Sequence, residues 1–231
     1  MKKLLLAGVA AVGLAFAAPN AEAAVIGATP GGGINPNNVI GAVEGWFGAN
    51  IYLFAAGPTV VDVYYLGMEA GFTNGFTLNG SPVISTSQAG YQNTGLSTLF
   101  GGSTLPASLG STTINPGLVN FSFTSVPGGS VANGANGLPG IVEPNFFATF
   151  ANTMAFGAFD TTINGITPGS GKVVLLALDD GGAGPDDNHD DFVIILKIND
   201  GTFSVPEPAS LALLGMGLLG LGFAARRRKA A

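Results

Sequence analysis

The sequence predicts an all-β fold, a single antiparallel β-sandwich of jelly-roll type with long Gly/Ser/Thr-rich loops, flanked by an N-terminal signal helix and a C-terminal transmembrane helix. Three observations carry this. Where the middle of the chain shows any period, the period is two. Two apolar runs, 172–178 and 192–198, each with a single lysine near one end, have the length of strands buried on both faces. The two strongly apolar helical segments are confined to the ends, and each is flanked by basic residues.

The N-terminal segment begins with Lys2 and Lys3, runs through apolar residues 4–18, and is broken by Pro19 and Asn20. Ala21-Glu22-Ala23 then offers small residues at both positions a signal peptidase inspects, so 1–23 reads as a secretory signal peptide cut after Ala23. The exported domain spans 24–204. Within it, 59–66 is dense in Val and Tyr. Asn79-Gly80 separates Phe76-Thr77-Leu78 from Pro82-Val83-Ile84 as a hairpin turn, and Pro82 marks the second arm as an edge. Val119, Phe121 and Phe123 fall on one face of the next strand, with Asn120, Ser122 and Thr124 on the other. Residues 145–159 come nearest to a helical period, but their Phe and Thr content favours strand. Segments 85–117 and 127–140 read as loops.

Composition narrows the function. In 24–204, twelve acids face only Lys172 and Lys197, a net charge near −10, which repels nucleic acid and anionic lipid headgroups, so nucleic acid is not a partner. The chain has no cysteine, so the domain is held by packing, or by packing and a bound ion. Glycine is 37 of 231 residues, more than twice the ordinary share of ~7 %, which suits a turn-rich domain.

Six of the twelve acids lie in 179–191, between the two apolar runs. Asp186, Asn188 and Asp190 alternate, and a tight loop brings their oxygens towards one point, with Asp191 completing the shell. Such a set suits Ca²⁺, which takes oxygen ligands. The EF-hand pattern fails, because Asp191 stands where it needs Gly and Lys197 where it needs Glu. Two readings stay open: a Ca²⁺ loop, or a solvated acidic hairpin that guards the sheet against edge pairing. His189 is the only histidine, and with no cysteine a zinc site of the His/Cys type is excluded. A Ser-His-Asp triad would need His189, and no nucleophile elbow accompanies it. Gly169-Ser170-Gly171-Lys172 departs from a phosphate loop at Ile166 and Val173 and reads as a turn before a strand. No catalytic or cofactor-binding residue is assigned, and the domain reads as non-enzymatic. Glu44, Glu69 and Glu143 leave a glycosidase-type carboxylate pair open, whereas the single tryptophan, Trp46, reads as core.

At the other end, Val205-Pro206-Glu207-Pro208 precedes an apolar stretch at 209–225, and Arg226-Arg227-Arg228-Lys229 follows as a membrane stop. Seventeen residues is short for a span of about 20. The basic cluster belongs on the cytoplasmic side, which leaves the domain outside. With Leu218-Leu219-Gly220-Leu221-Gly222-Phe223 before the arginine run, segment 205–231 resembles the PEP-CTERM sorting tail of Gram-negative bacteria, also catalogued as an ice-binding-protein C-terminal domain. The resemblance implies recognition by an exosortase, transient anchoring in the inner membrane, and delivery to the cell surface or extracellular matrix, with exopolysaccharide as an expected partner. A permanent single-span anchor fits the hydropathy equally. The hairpin at 178–193 also looks like the closing hairpin of proteins bearing this tail. Ice binding would need a regular Thr array, and Thr112-Thr113 and Thr161-Thr162 are isolated. The leading expectation is an exported structural or adhesion-type protein, stabilised by Ca²⁺ if the loop binds it; the alternative is a carbohydrate-binding or carbohydrate-active module.

Overall fold

The computed structural model describes residues 24–29, 39–86, 96–159, 167–181 and 189–206. Among them the chain forms β1 (Val25–Ala28), β2 (Glu44–Phe47), β3 (Tyr52–Phe54), β4 (Thr59–Gly67), β5 (Thr73–Leu78), β6 (Ser81–Ser85), β7 (Ala107–Ile114), β8 (Gly117–Leu118), β9 (Phe121–Val126), β10 (Gly129–Ala132), β11 (Asn145–Ala151), β12 (Ser170–Gly171), β13 (Val173–Asp179), β14 (Phe192–Ile198) and β15 (Thr202–Ser204), with one 3-10 turn at Thr98–Phe100. The fold is all-β with antiparallel sheets.

A seven-stranded sheet runs in the order β1-β2-β11-β13-β14-β4-β7, and two four-stranded sheets run β10-β9-β5-β6 and β12-β15-β3-β8. Alternation along β13 sends Val174, Leu176 and Leu178 to one face, where they share a core with Phe76, Phe121 and Phe123 of one small sheet and Leu53 and Phe203 of the other. Val173, Leu175 and Ala177 point the opposite way and are covered by Val39, Ile40, Leu99 and Phe159, which belong to connecting segments. This second cover is why β13 is apolar throughout even though its neighbours are antiparallel.

The Asn79-Gly80 turn has both residues at positive φ, 54° and 76°, the backbone a two-residue hairpin demands. β6, which carries Pro82, is an edge strand as expected. Two expectations are corrected. Segment 85–117 contains β7, which closes one edge of the large sheet against β4, and 127–140 contains β10, paired with β9. Both are edge strands with mostly exposed or half-buried side chains, so neither needed the apolar stripe by which a strand is recognised. The signal segment 1–23, with Ala21 and Ala23, and the apolar segment 209–225 lie outside the described residues. Among those described, no helix is long and apolar enough to cross a membrane.

Candidate functional site

The described residues at the two ends of the acidic hairpin do not face water. Asp179, Asp180, His189, Asp190 and Asp191 are all buried, with Asp190 and His189 each 1 % exposed. The carboxylates are turned into the end of the large sheet, where each takes donors from a different part of the chain. The Val39 N–H donates to Asp190 Oδ2 at 2.8 Å, and the Asp180 N–H donates to Asp191 Oδ2 at 2.9 Å. Asn74, wholly buried in β5, donates from Nδ2 to Asp180 Oδ2 (3.0 Å) and to the Asp191 carbonyl (3.3 Å). The Gly181 N–H and Asn145 Nδ2 donate to the two oxygens of Asp179. His189, held at φ 55°, sets its ring edge-on to Phe47 and places Nε2 2.8 Å from Asn145 Oδ1. That oxygen only accepts, so the ring donates from Nε2.

This arrangement resists ionisation. Burial pushes the Asp190 carboxyl up to about 8; the Val39 donor opposes the shift, and the charges of Glu69 and Asp191 add to it. Burial likewise lifts Asp191 to about 7, against the Asp180 N–H and with the Asp180 and Asp179 charges adding. Two acceptor oxygens in this cluster, Asp190 Oδ1 and Asn74 Oδ1, are buried with no donor facing them.

Asp190 and Asp191 therefore bind to different backbone donors, and the solvated-hairpin reading fails for the residues described. Asp186 and Asn188, the other expected ligands, lie outside the described residues. Among those described, no three acid or histidine side chains form a metal-holding group. Asn74 and Asn145 escaped the sequence reading. Asn74 stands before Gly75 like an ordinary turn residue, and the acid it serves is 106 residues away.

Glu44 does not converge with Glu69 or with Glu143. β2, which carries Glu44, is separated from β4, which leads to Glu69, by four strand spacings, roughly 19 Å. Glycosidase carboxylates need about 5–9.5 Å. Glu143 leads into the start of β11, whereas the Glu44 carbonyl accepts from Thr149 near its end. Trp46 packs against the core and donates its indole N–H to the Pro168 carbonyl at 2.9 Å. Ser170 and Gly171, expected in a turn, form the short strand β12 paired with β15, and the Lys172 ammonium donates to the Asn199 carbonyl.

At the opposite end of the sheet β15 leads out of the fold. Val205 is still buried, and its N–H donates to the Gly169 carbonyl at 2.9 Å; Ser204 Oγ also donates to that carbonyl. Pro206 follows, while Glu207, Pro208 and Arg226 to Lys229 lie outside the described residues. The family model for the PEP-CTERM protein-sorting motif matches residues 204–229. The chain carries a PEP-CTERM sorting tail. No curated protein and no solved structure matches the chain. The PEP-CTERM tail implies that the protein is exported, recognised by an exosortase, and processed at the membrane. It begins within one residue of the last strand, so the folded domain and the sorting element meet without a linker.

Proposed function

We propose that this is a non-enzymatic structural protein of the bacterial cell surface or extracellular matrix, delivered by its PEP-CTERM tail and contributing to a matrix that contains exopolysaccharide. The observation that carries this reading is the inward turn of Asp179, Asp180, Asp190 and Asp191. These four are engaged in tying β5, β11, β13 and the 39–40 segment together, so the described part of the acidic cluster works as an internal clasp. The separation of Glu44 from Glu69 and Glu143 supports it, as does the engagement of Trp46 with Pro168.

Calcium belongs to the same proposal. Asp190 Oδ1 is buried without a donor, and a divalent cation held between it, Asp191, Asp186 and Asn188 would neutralise charges that the fold otherwise meets by retaining protons. The ion would stabilise the clasp and have no part in chemistry.

The test compares a strain producing the full chain with one producing a chain that stops at residue 204. The full chain should be recovered from the surface and matrix fractions, and its loss should weaken the cohesion of the matrix. Release of reducing sugar from host polysaccharide by the purified protein, abolished by Glu44→Gln, Glu69→Gln or Glu143→Gln, would overturn the structural reading in favour of a carbohydrate-active module.

A further inference from the structure

The outer face of the sheet β12-β15-β3-β8 carries an aromatic patch beside the point where the sorting tail leaves the domain. Tyr52 and Phe54 alternate with the buried Leu53, and their rings lie 29° apart in tilt with centroids 6.5 Å apart. Phe54 is 56 % exposed and Leu118 43 % exposed. Register sets the neighbours: Tyr52 pairs with Ser204 on one side and Leu118 on the other, and Phe54 pairs with Thr202. Cross-strand partners share a face at about 5 Å, so Tyr52 stands next to the residue before Val205.

Sequence distance then limits how far this face can be from a bilayer. The apolar segment begins at residue 209, three residues beyond the last described residue, Pro206. Three residues reach at most about 10 Å. Charged residues are distributed unevenly between the two ends. Asp179, Asp180, Asp190 and Asp191 sit at the far end of β13 and β14, six residue steps or roughly 20 Å away. Glu69 and Glu143 are with them, since the Glu69 N–H donates to the Asp190 carbonyl and a side chain on Gly181 would touch Glu143. Both lysines of the domain are at the tail end, where Lys197 pairs with Val173 and Lys172 precedes it. The acids near them are Asp62, opposite Lys197 in register, Asp200 in the turn before β15, and Glu44, which accepts from Thr167.

We infer that before processing the domain rests on the membrane surface by this face, with Tyr52, Phe54 and Leu118 at the level of the lipid headgroups. This rests on the exosortase reading of the tail and adds the orientation in which the domain is presented. Tyrosine suits such a position because its ring is apolar and its hydroxyl is wet. Lys172 and Lys197 at this end are offset by Asp62, Asp200 and Glu44, so the contact is carried by the apolar rings rather than by charge.

The absence of cysteine makes a single-site probe clean. Full-length protein carrying an environment-sensitive fluorophore at Thr202→Cys is incorporated into vesicles of zwitterionic lipid with a fraction of anionic lipid and a lipid-borne quencher. The control carries it at Val126→Cys, which is 66 % exposed and precedes Gly128 at the acidic end. The emission at 202 should shift to the blue and be quenched several-fold more than at 126, and Tyr52→Ser with Phe54→Ser should remove the difference. Protein that floats with vesicles while both probes behave alike would overturn the orientation and leave the tail reading intact. Protein that does not float would overturn both. A blue shift at 202 produced by soluble polysaccharide without vesicles, and absent with them, would make the patch a glycan platform and sink the membrane assignment.

Discussion

The two ends of the large sheet use polar residues in opposite ways. At the acidic end, acid side chains are buried and tied by amide donors from β5, β11 and the 39–40 segment, and burial favours the protonated forms of Asp190 and Asp191. At the tail end, Lys172 is exposed and donates to one carbonyl, small hydroxyls line β15, and the apolar rings of Tyr52 and Phe54 are left on the surface. The contrast teaches that net charge, near −10 for the domain, says little about which surface is acidic. Asp179, Asp180, Asp190 and Asp191 are buried, and burial holds protons on the last two.

The comparison breaks most sharply under alkali. Asp190 and Asp191 bind protons more tightly in the folded chain than an ordinary carboxyl at 3.8. The folded state therefore holds extra protons above pH ~4, and stability falls as pH rises through about 7 and 8. Without divalent cations, thermal melts should show the midpoint dropping between pH 5 and pH 9. A flat profile would mean the two carboxyls are solvated. Adding a charge to the clasp should do nearly as much. Asn74→Asp removes the donors to Asp180 and the Asp191 carbonyl and buries another carboxylate, a loss of about 3–5 kcal/mol, readable by denaturant titration at pH 8.

Calcium tests the same end from the other side. If the 179–191 loop binds it, the folded state gains about 2.7 kcal/mol at a hundred times the dissociation constant, and the gain should grow with pH as protons leave. Mg²⁺ should do less, because it demands octahedral geometry and keeps its water. Equal midpoints in Ca²⁺, Mg²⁺ and chelator at pH 8 would leave proton retention as the sole remedy. The smallest effect belongs to the tail end. Trp46→Phe deletes one hydrogen bond, to the Pro168 carbonyl, and should cost about 1 kcal/mol with no dependence on pH or calcium. A calcium-dependent loss in that variant would mean the two ends are coupled.

The parts of the fold legible in advance are those whose cause is local. β4, β13 and β14 are apolar because they are covered on both faces or alternately, and the turn at Asn79-Gly80 needs positive φ at two adjacent residues. β7 and β10 were not legible, since edge strands rich in Ser, Thr and Gly carry the same composition as loops. The candidate site was half legible. Clustered acids flagged 179–191, but which way they point depends on donors 11 to 151 residues distant.

From its sequence alone, then, this protein declares its sorting tail, its two central strands and its cluster of acids, because each is a run of adjacent residues with one physical property. Tertiary structure decides that Asp179, Asp180, Asp190 and Asp191 turn inward, that Glu44 lies apart from Glu69 and Glu143, and that Tyr52 sits beside the departing tail. Those outcomes follow from strand order and register, which bring together residues that no local pattern links.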